Sequence, residues 1–466
     1  MSLKKNILKI FSVNILSMIS GILISFLVPA LLSVTDFANL KTFNFYLSYT
    51  SILSLGFVDG MYIKYGGKSI SSIDKSELKS ENITFFFIQF IFSIIFFLIG
   101  IISKDVIIIL LSFSIIPFAI YGFFTMFYQS IGDFNKYSKI VLFYTIFNLT
   151  FNIIFTILFK STNYLIYCLI PTFVNLIITI YLEFNFLKKF KEFKFKFQKE
   201  IMNNIKVGFF ILIGNLSVIL FYGIDRWFIK FFYTSNDFAY YSFAISMLNL
   251  INLLVSAISV TFYNHIAKNE NKEELKTFKK YLIILGTIAS LSYFGFAFIV
   301  NIFLKKYILS LNIIAISFAS YPYMIVINAL FVNIYKVRKN EKKYLKVVIL
   351  MLIISTIYNT IAMLLSHSTS SIAIATTFSF ITWYFYSSRH FDYLKPDKNE
   401  ILFLFINLIF FLFISNTMNW FIGGISYLII ILLTIFIFFR KDLIEFKLSL
   451  SLIIKKFKRK EDTINE

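Results

Sequence analysis

The sequence predicts an all-α polytopic membrane protein with about 14 transmembrane helices. Three observations carry that prediction. Apolar segments, each near the ~20 residues a bilayer core requires, follow one another along almost all of the 466 residues. Hydrophobic residues make up 58% of the chain, 62 of them Phe, with a mean hydropathy of +0.80; a water-soluble domain of this length cannot hide so much apolar surface. Lys and Arg crowd into every second gap between the segments.

The segments run 10–32, 43–63, 83–102, 106–130, 140–159, 164–187, 207–231, 238–264, 282–304, 313–335, 347–366, 371–389, 401–416 and 420–439. Of the 45 Lys and Arg, 38 lie in or border alternate gaps and the two ends, 6 lie in or border the other gaps (Arg389 and Lys230 being the bordering ones), and Arg226 lies deeper inside a segment. That asymmetry puts both termini in the cytoplasm. A net charge of +21 would suit nucleic acid if it lined one face. Here it is spread through short gaps, so no nucleic-acid partner is expected. Lys4, Lys5 and Lys9 precede an apolar run that continues to Leu32 without a small-x-small cleavage site, so the run is expected to stay as the first helix. Cys168 is the only cysteine, which excludes an intrachain disulfide.

The segment Lys188-Lys189-Phe190-Lys191-Glu192-Phe193-Lys194-Phe195-Lys196 alternates charge and Phe. It suits either an interfacial stretch on anionic lipid or a topology-setting linker between two halves, and the linker reading is favoured. An internal repeat supports two halves. Thr35-Asp36-Phe37-Ala38 follows the first segment and Asn236-Asp237-Phe238-Ala239 follows the seventh; the same offset of 201 places Asn14 on Asn215. Pro117 in the fourth segment matches Pro322 in the tenth. Segments six apart run the same way through the membrane, so the repeat is parallel, about an axis along the membrane normal. The expected organisation is an N-terminal lobe over 1–187, a basic cytoplasmic linker over 188–206 and a C-terminal lobe over 207–391. A further helix pair over 392–440 and a basic cytoplasmic tail over 441–466 complete it.

Two six-helix lobes form the plan of an alternating-access carrier. A channel calls for a filter loop or pore helix, and neither is visible. Enzymes in membranes cluster His, Asp or Glu at a surface. His265, His367 and His390 are scattered here, so neither a metal site nor an enzyme is expected.

Ionisable groups near the bilayer centre cost roughly 2.5–3.5 kcal/mol unless paired or wet. Only Asp59, Glu183, Asp225 and Arg226 lie inside segments, with Lys64 and Lys230 at segment ends. Arg226 and Lys230, four apart, share a helix face that Tyr222 and Tyr233 extend. Two cations with tyrosine hydroxyls suit a phosphate or another anion; the bland alternative is snorkelling to the outer headgroups. Lys230 fits the bland reading and Arg226, being deeper, the cavity reading. Asp59, within Gly56-Phe-Val-Asp-Gly60, suits a coupling proton or sodium, against a plain structural role as partner of Lys64 or of a helix end. Asp225 is a second ion-coupling candidate. Glu183 reads as solvated beside the basic linker. Asn14, Ser17 and Gly21, then Asn215, form polar stripes that face protein or cavity, with Asn14 and Asn215 as cavity candidates against a role as interhelical glue. Pro29, Pro117 and Pro322 are candidate helix bends.

With these features the chain resembles the bacterial polysaccharide flippases, the O-antigen and capsule repeat-unit family of the MATE-like superfamily. The resemblance rests on the 6+6+2 plan, on Asn14…Ser17…Gly21…Pro29, on Leu55-Gly56-Phe-Val-Asp-Gly60, on Asp225-Arg226, and on Asp237-Phe-Ala-Tyr-Tyr-Ser242. It implies carriage of an undecaprenyl-diphosphate-linked oligosaccharide from the cytoplasmic to the outer leaflet of the bacterial inner membrane. It implies a cationic cavity, for which Arg226 is the candidate. It also implies no bound cofactor and coupling to a proton or sodium gradient. The polymerase and chain-length regulator of the same pathway are the partners it suggests beyond membrane lipid, and the chain is expected to act as a monomer. Three other classes remain as alternatives: a lipid II flippase, a multidrug exporter and a polytopic glycosyltransferase or ligase. Lipid II flippases carry charged residues in the first span, and multidrug exporters of the superfamily have twelve spans with an acidic residue in the first; the first segment here has no charge. A polytopic glycosyltransferase or ligase needs a large outer loop, and the outer gaps are only a few residues long.

Overall fold

A computed structural model describes residues 3–195, 201–268 and 270–440. The tail 441–466 and positions 196–200 of the basic linker therefore lie outside the described residues. Among the described residues every regular element is helical. Ten helices are individually long and apolar enough to cross a membrane, or eleven when one bent pair counts as a single span. All 14 apolar segments are nonetheless helical. Three segments miss the count: 43–63, whose helix is broken; 371–389, whose apolar run Ser, Thr and Tyr dilute; and 238–264, which lies within the single helix Ser235–Lys268. The protein is a multi-pass membrane protein.

Two compact units divide the chain, Met1–Ser246 and Met247–Glu466. Unit 1 begins with α1 (Leu3–Leu31), α2 (Val34–Ser48), α3 (Phe57–Tyr65), α4 (Lys75–Ser103) and α5 (Val106–Ser130). It continues with α6 (Phe134–Ile153), α7 (Tyr164–Lys189), α8 (Ile201–Phe221), α9 (Ile224–Phe232) and the start of α10 (Ser235–Lys268). Helix α5 is the hub, packing on α2, α3, α4, α6 and α7. Pro117 lies inside it without breaking it, and Pro29 lies inside α1 in the same way. The Pro117 carbonyl accepts the Thr179 hydroxyl of α7 at 3.1 Å.

The second apolar segment is broken, which its composition does not reveal. After α2 the chain makes a 3₁₀ turn over Thr50–Ser54, and Leu55 and Gly56 take left-handed φ of 51° and 80°. A break at membrane depth leaves carbonyls without helical partners; Gln89 of α4 donates to the Leu53 carbonyl at 3.0 Å. The same glycines bring α3 onto α8. A Cβ on Gly208 would collide with the Gly56 carbonyl, and one on Gly60 with the Asn204 carbonyl.

Below that crossing, Lys64 pairs with Glu77 at 2.6 Å and with the fully buried Glu81. Glu81 also accepts Tyr65 Oη at 2.8 Å and Asn204 Nδ2 at 2.7 Å. Lys64 is thus committed to α4 and is not the partner of Asp59; of the two structural roles open to Asp59, the helix end remains, since it stands in the first turn of α3. Glu183 is likewise not simply solvated, since Asn82 Nδ2 donates to it at 2.8 Å. The phenylalanines at the start of the basic linker pack on protein: Phe190 is 3% exposed and its ring lies tilted against Phe186 at 4.6 Å, and Lys79 Nζ donates to the Phe193 carbonyl at 2.9 Å.

The repeated sequence is a repeated helix start. The Ser33 hydroxyl accepts the Asp36 amide at 3.0 Å and donates to its carboxylate at 2.5 Å at the head of α2. At the head of α10 the Thr234 hydroxyl does the same with Asp237, at 3.2 and 2.6 Å. Both are reciprocal N-caps, which satisfy the orphan amides of a helix's first turn.

Unit 2 holds the rest of α10, then α11 (Lys272–Ser290), α12 (Ser292–Phe303), α13 (Leu311–Phe318), α14 (Tyr321–Val326) and α15 (Val332–Val337). The remaining helices are α16 (Glu341–Leu365), α17 (Thr369–Ser388), α18 (Lys398–Thr417) and α19 (Trp420–Phe438). The tenth segment is bent by 48° between Lys305–Phe318 and Tyr321–Val337, with Pro322 in the first turn after the break. Gly286 of α11 lies against that proline, where a Cβ would come within 2.6 Å of Pro322 Cα. A π turn over Ile327–Phe331 frees carbonyls, and the Asn328 carbonyl accepts Ser259 Oγ of α10 at 3.0 Å. Lys279 and Glu400, 2–3% exposed, pair at 2.7 Å and tie α11 to α18; Lys279 also donates to the Leu394 carbonyl at 2.8 Å. At the same lysine-rich end, Glu270 accepts Arg338 Nε at 3.0 Å and Tyr393 Oη at 3.2 Å. Those hydrogen bonds, the Arg338 one foremost, hold the Glu270 carboxyl below the ordinary glutamate range.

Candidate functional site

The candidate site is a cluster of cations and aromatic rings in unit 1, built by α2, α9 and the first turns of α10. Gly223 makes it possible: it ends α8 and starts α9, and a Cβ there would strike the Tyr49 hydroxyl. Asp225 occupies the first turn of α9, where a carboxylate complements the helix amides and the positive end of its dipole. It is 2% exposed, accepts the Arg226 amide at 2.7 Å, and receives Tyr241 Oη of α10 at 2.8 Å. Its oxygens are held by structure on both sides, so it acts here as the clamp between α9 and α10.

Arg226 and Lys230 share the face of α9 turned to α2, as their spacing requires. The guanidinium lies 4.8 Å over the Phe45 ring and donates to the Tyr222 carbonyl at 3.2 Å. Its Nε is buried without a hydrogen-bond partner. Lys230 Nζ donates to Thr42 Oγ1 at 3.0 Å and sits 5.3 Å over Phe238. Lys41, from α2, donates to Ser246 Oγ at 2.8 Å and sits 5.0 Å over Phe37. Among the described residues none of these three cations makes a salt bridge, unlike Lys64, Lys279 and Arg338.

Aromatic faces adjoin the cations. Trp227 packs on Phe45 at 4.7 Å and on Tyr49 at 5.5 Å, and it lies nearly parallel to Tyr46 at 5.9 Å and to Phe231 at 5.2 Å. Trp227 and Tyr46 are half-buried and Phe231 is exposed. Unpaired cations bind an anion, and flat aromatic faces bind the apolar face of a sugar ring or an isoprenoid.

The other expected site residues are not in this cluster. Asp59 and Asn215 are brought together elsewhere in unit 1, across the α3–α8 contact, with Asn215 Nδ2 3.5 Å from Asp59 Oδ1. Asp59 stands in the first turn of α3, half-buried, with Gly56 before it. Asn14 is exposed on α1, whose neighbour Ser17 bonds Thr145 of α6 at 2.7 Å. Tyr222 contributes its carbonyl to Arg226. Pro29 and Pro117 lie in unbroken helices, and Pro322 stands in the first turn of α14. Sequence reasoning missed Lys41, Thr42, Phe45 and Trp227. A signal for Lys41 was present: it is the single lysine of its lysine-poor gap. Among the described residues no group of three or more His, Cys, Asp or Glu could hold a metal ion.

The described residues form a polytopic helical fold of two compact units with a cationic cluster in unit 1, and solved structures share that fold. The chain superposes on the lipid II flippase MurJ in an inward closed conformation with a TM-score of 0.65, at 17% identity, over 94% of this chain and 99% of that one. It superposes on an inward-facing multidrug resistance MATE family transporter of the MOP superfamily with a TM-score of 0.56, at 13% identity, over 81% and 95%. At such identities the likeness is one of fold. No protein-family profile and no curated protein sequence matches the chain.

Proposed function

We propose that the protein is a flippase that carries a lipid-linked oligosaccharide, joined through a diphosphate, from the cytoplasmic to the outer leaflet by alternating access driven by an ion gradient. The observation that carries this reading is the set of three cations that make no salt bridge among the described residues, Lys41, Arg226 and Lys230, beside the Trp227 and Tyr46 faces. In a membrane protein an unpaired arginine with a buried, unsatisfied Nε is costly, and a diphosphate relieves that cost with charge-assisted hydrogen bonds. Arg226 is the first anion ligand, Lys230 and Lys41 are its supports, and the exposed Phe231 ring, stacked on Trp227, offers the first sugar a face. Asp59, with Asn215, is the candidate ion-coupling group. The lysine asymmetry of the sequence supports cytoplasmic termini.

The test is transport of a fluorescent undecaprenyl-diphosphate oligosaccharide in proteoliposomes. Arg226→Ala is expected to cut the rate at least tenfold while the protein inserts and folds normally; an unchanged rate overturns the role of Arg226. A second reading, lipid II as cargo, is favoured by the fold likeness to MurJ. Competition between lipid II and a repeat-unit lipid in the same vesicles decides between them.

A further inference from the structure

A second feature of unit 1 lies away from the cations. A cavity of about 900 Å³ opens along α7, walled by Phe86 of α4, Phe113 of α5 and Phe155 of the turn after α6. Its floor is one stripe of α7 from Ile166 through Leu169, Phe173 and Leu176 to Glu183. At ~1.5 Å per residue that stripe is about 25 Å long, against a hydrocarbon core of ~30 Å. The few polar side chains of the wall are already satisfied within the protein. Ser93 donates to the Ser112 carbonyl at 2.8 Å, Thr172 bonds Ser114 Oγ at 2.8 Å, and Thr179 donates to the Pro117 carbonyl at 3.1 Å. The groove therefore offers an occupant hydrocarbon contact and no hydrogen bonds.

Polarity returns only at one end, where Asn82 holds Glu183 at 2.8 Å. Helical spacing continues the face of Phe86 and Asn82 on α4 to Lys79 and Lys75. Lys188 and Lys189 end α7 at the same side, exposed. These four lysines stand beyond the groove's lining at that end, with Lys79 on the Phe193 carbonyl and Lys75 over the Phe193 ring.

We infer that this groove binds the hydrocarbon tail of a polyprenyl phosphate, with the phosphate at the Lys75, Lys79 and Lys188–Lys189 end. Length selects the occupant. A diacyl lipid fills one leaflet, roughly half of the ~30 Å core, whereas a groove of about 25 Å accommodates a chain that runs on past the midplane. The lysines select an anionic head. The inference rests on the proposed lipid-linked cargo for its isoprenoid, but the groove is separate from the Arg226 cluster.

The experiment uses the full chain in nanodiscs and a polyprenyl phosphate bearing a photoreactive diazirine in its tail, with cross-links mapped by mass spectrometry. Labelling is expected on α7 between 166 and 180, and an excess of unlabelled undecaprenyl phosphate should suppress it at least fivefold more than the same excess of phosphatidylglycerol. Leu176→Trp, which fills the groove, should cut that labelling several-fold. Lys75→Gln with Lys79→Gln should weaken competition by the phosphate. Equal competition by phosphatidylglycerol means a general lipid groove and overturns the inference, as does equal labelling of the exposed face of α16 around Ile357. Transport by the wild type without groove labelling would sink this inference and leave the flippase reading intact; groove labelling without transport would do the reverse.

Discussion

Arg226 and Asp225 are neighbours in sequence with opposite fates. The carboxylate is satisfied by the Arg226 amide and Tyr241, whereas the guanidinium has one carbonyl, one ring and an idle Nε. Asp225→Ala removes a buried, charge-assisted partner and is expected to cost about 2–3 kcal/mol, read as a lower melting temperature in detergent. Asp225→Asn separates structure from coupling. Retained stability and retained gradient dependence assign Asp225 to the clamp, and lost gradient dependence with retained stability returns it to the ion path. The Arg226–Lys230 face was legible because i,i+4 spacing is a local rule. Lys41 and Trp227 were not legible as site residues, because only the packing of α2 on α9 brings them together. The pairing of Lys64 with Glu81 instead of Asp59 depends in the same way on where α4 lands.

Among the elements, the breaks were the hidden part. The apolar run over 43–63 reads the same whether the helix is straight or interrupted, since lipid demands apolar side chains in both cases. Only the partner of the freed carbonyl, Gln89 at Leu53, distinguishes them, and it lies on another helix. Gly56 and Gly60 did announce a close approach, but not that α8 makes it. Gly208→Ala places a methyl against the Gly56 carbonyl, where backbone cannot yield as a side chain would. Overpacking of this kind costs typically 1–3 kcal/mol, so lower thermal stability is expected. Gly214→Ala, on the same helix with nothing within 4 Å, should be neutral or gain up to about 1 kcal/mol from helix propensity. Equal effects of the two would remove the argument for a backbone contact between α3 and α8.

For the molecule as a whole, apolar spacing and lysine placement were enough to anticipate the helical, membrane-spanning fold. Ion pairs at the lysine-rich end were not anticipated, because gap residues read as solvated. In unit 2, Lys279 and Glu400 are buried together, and Lys279→Met alone should cost about 3–5 kcal/mol by stranding the carboxylate. Adding Glu400→Leu should recover most of that loss in a thermal melt. The Glu270–Arg338–Tyr393 clamp gives a pH signature. The folded carboxyl is held below its unfolded value of ~4.3, so its contribution is complete above that value and is lost as pH falls through the folded pKa. Amide protection factors around Arg338 and Tyr393, taken relative to the intrinsic exchange rate at each pH, should therefore fall in the wild type as pH drops below ~4.3, and Glu270→Gln should show the lowered protection already at pH 7.

The paired caps, Ser33–Asp36 and Thr234–Asp237, bear on how such chains keep a trace of their history. Lipid accepts any large apolar letter in exchange for another, so a duplicated span drifts until its two copies no longer align. A hydroxyl and a carboxylate three residues apart can change only to another side chain that caps, as Asp74 and Asn163 do at other helix starts. In strongly diverged membrane proteins ancestry is therefore best sought at the places where helices begin, in a handful of polar letters, rather than along the spans that make up most of the chain.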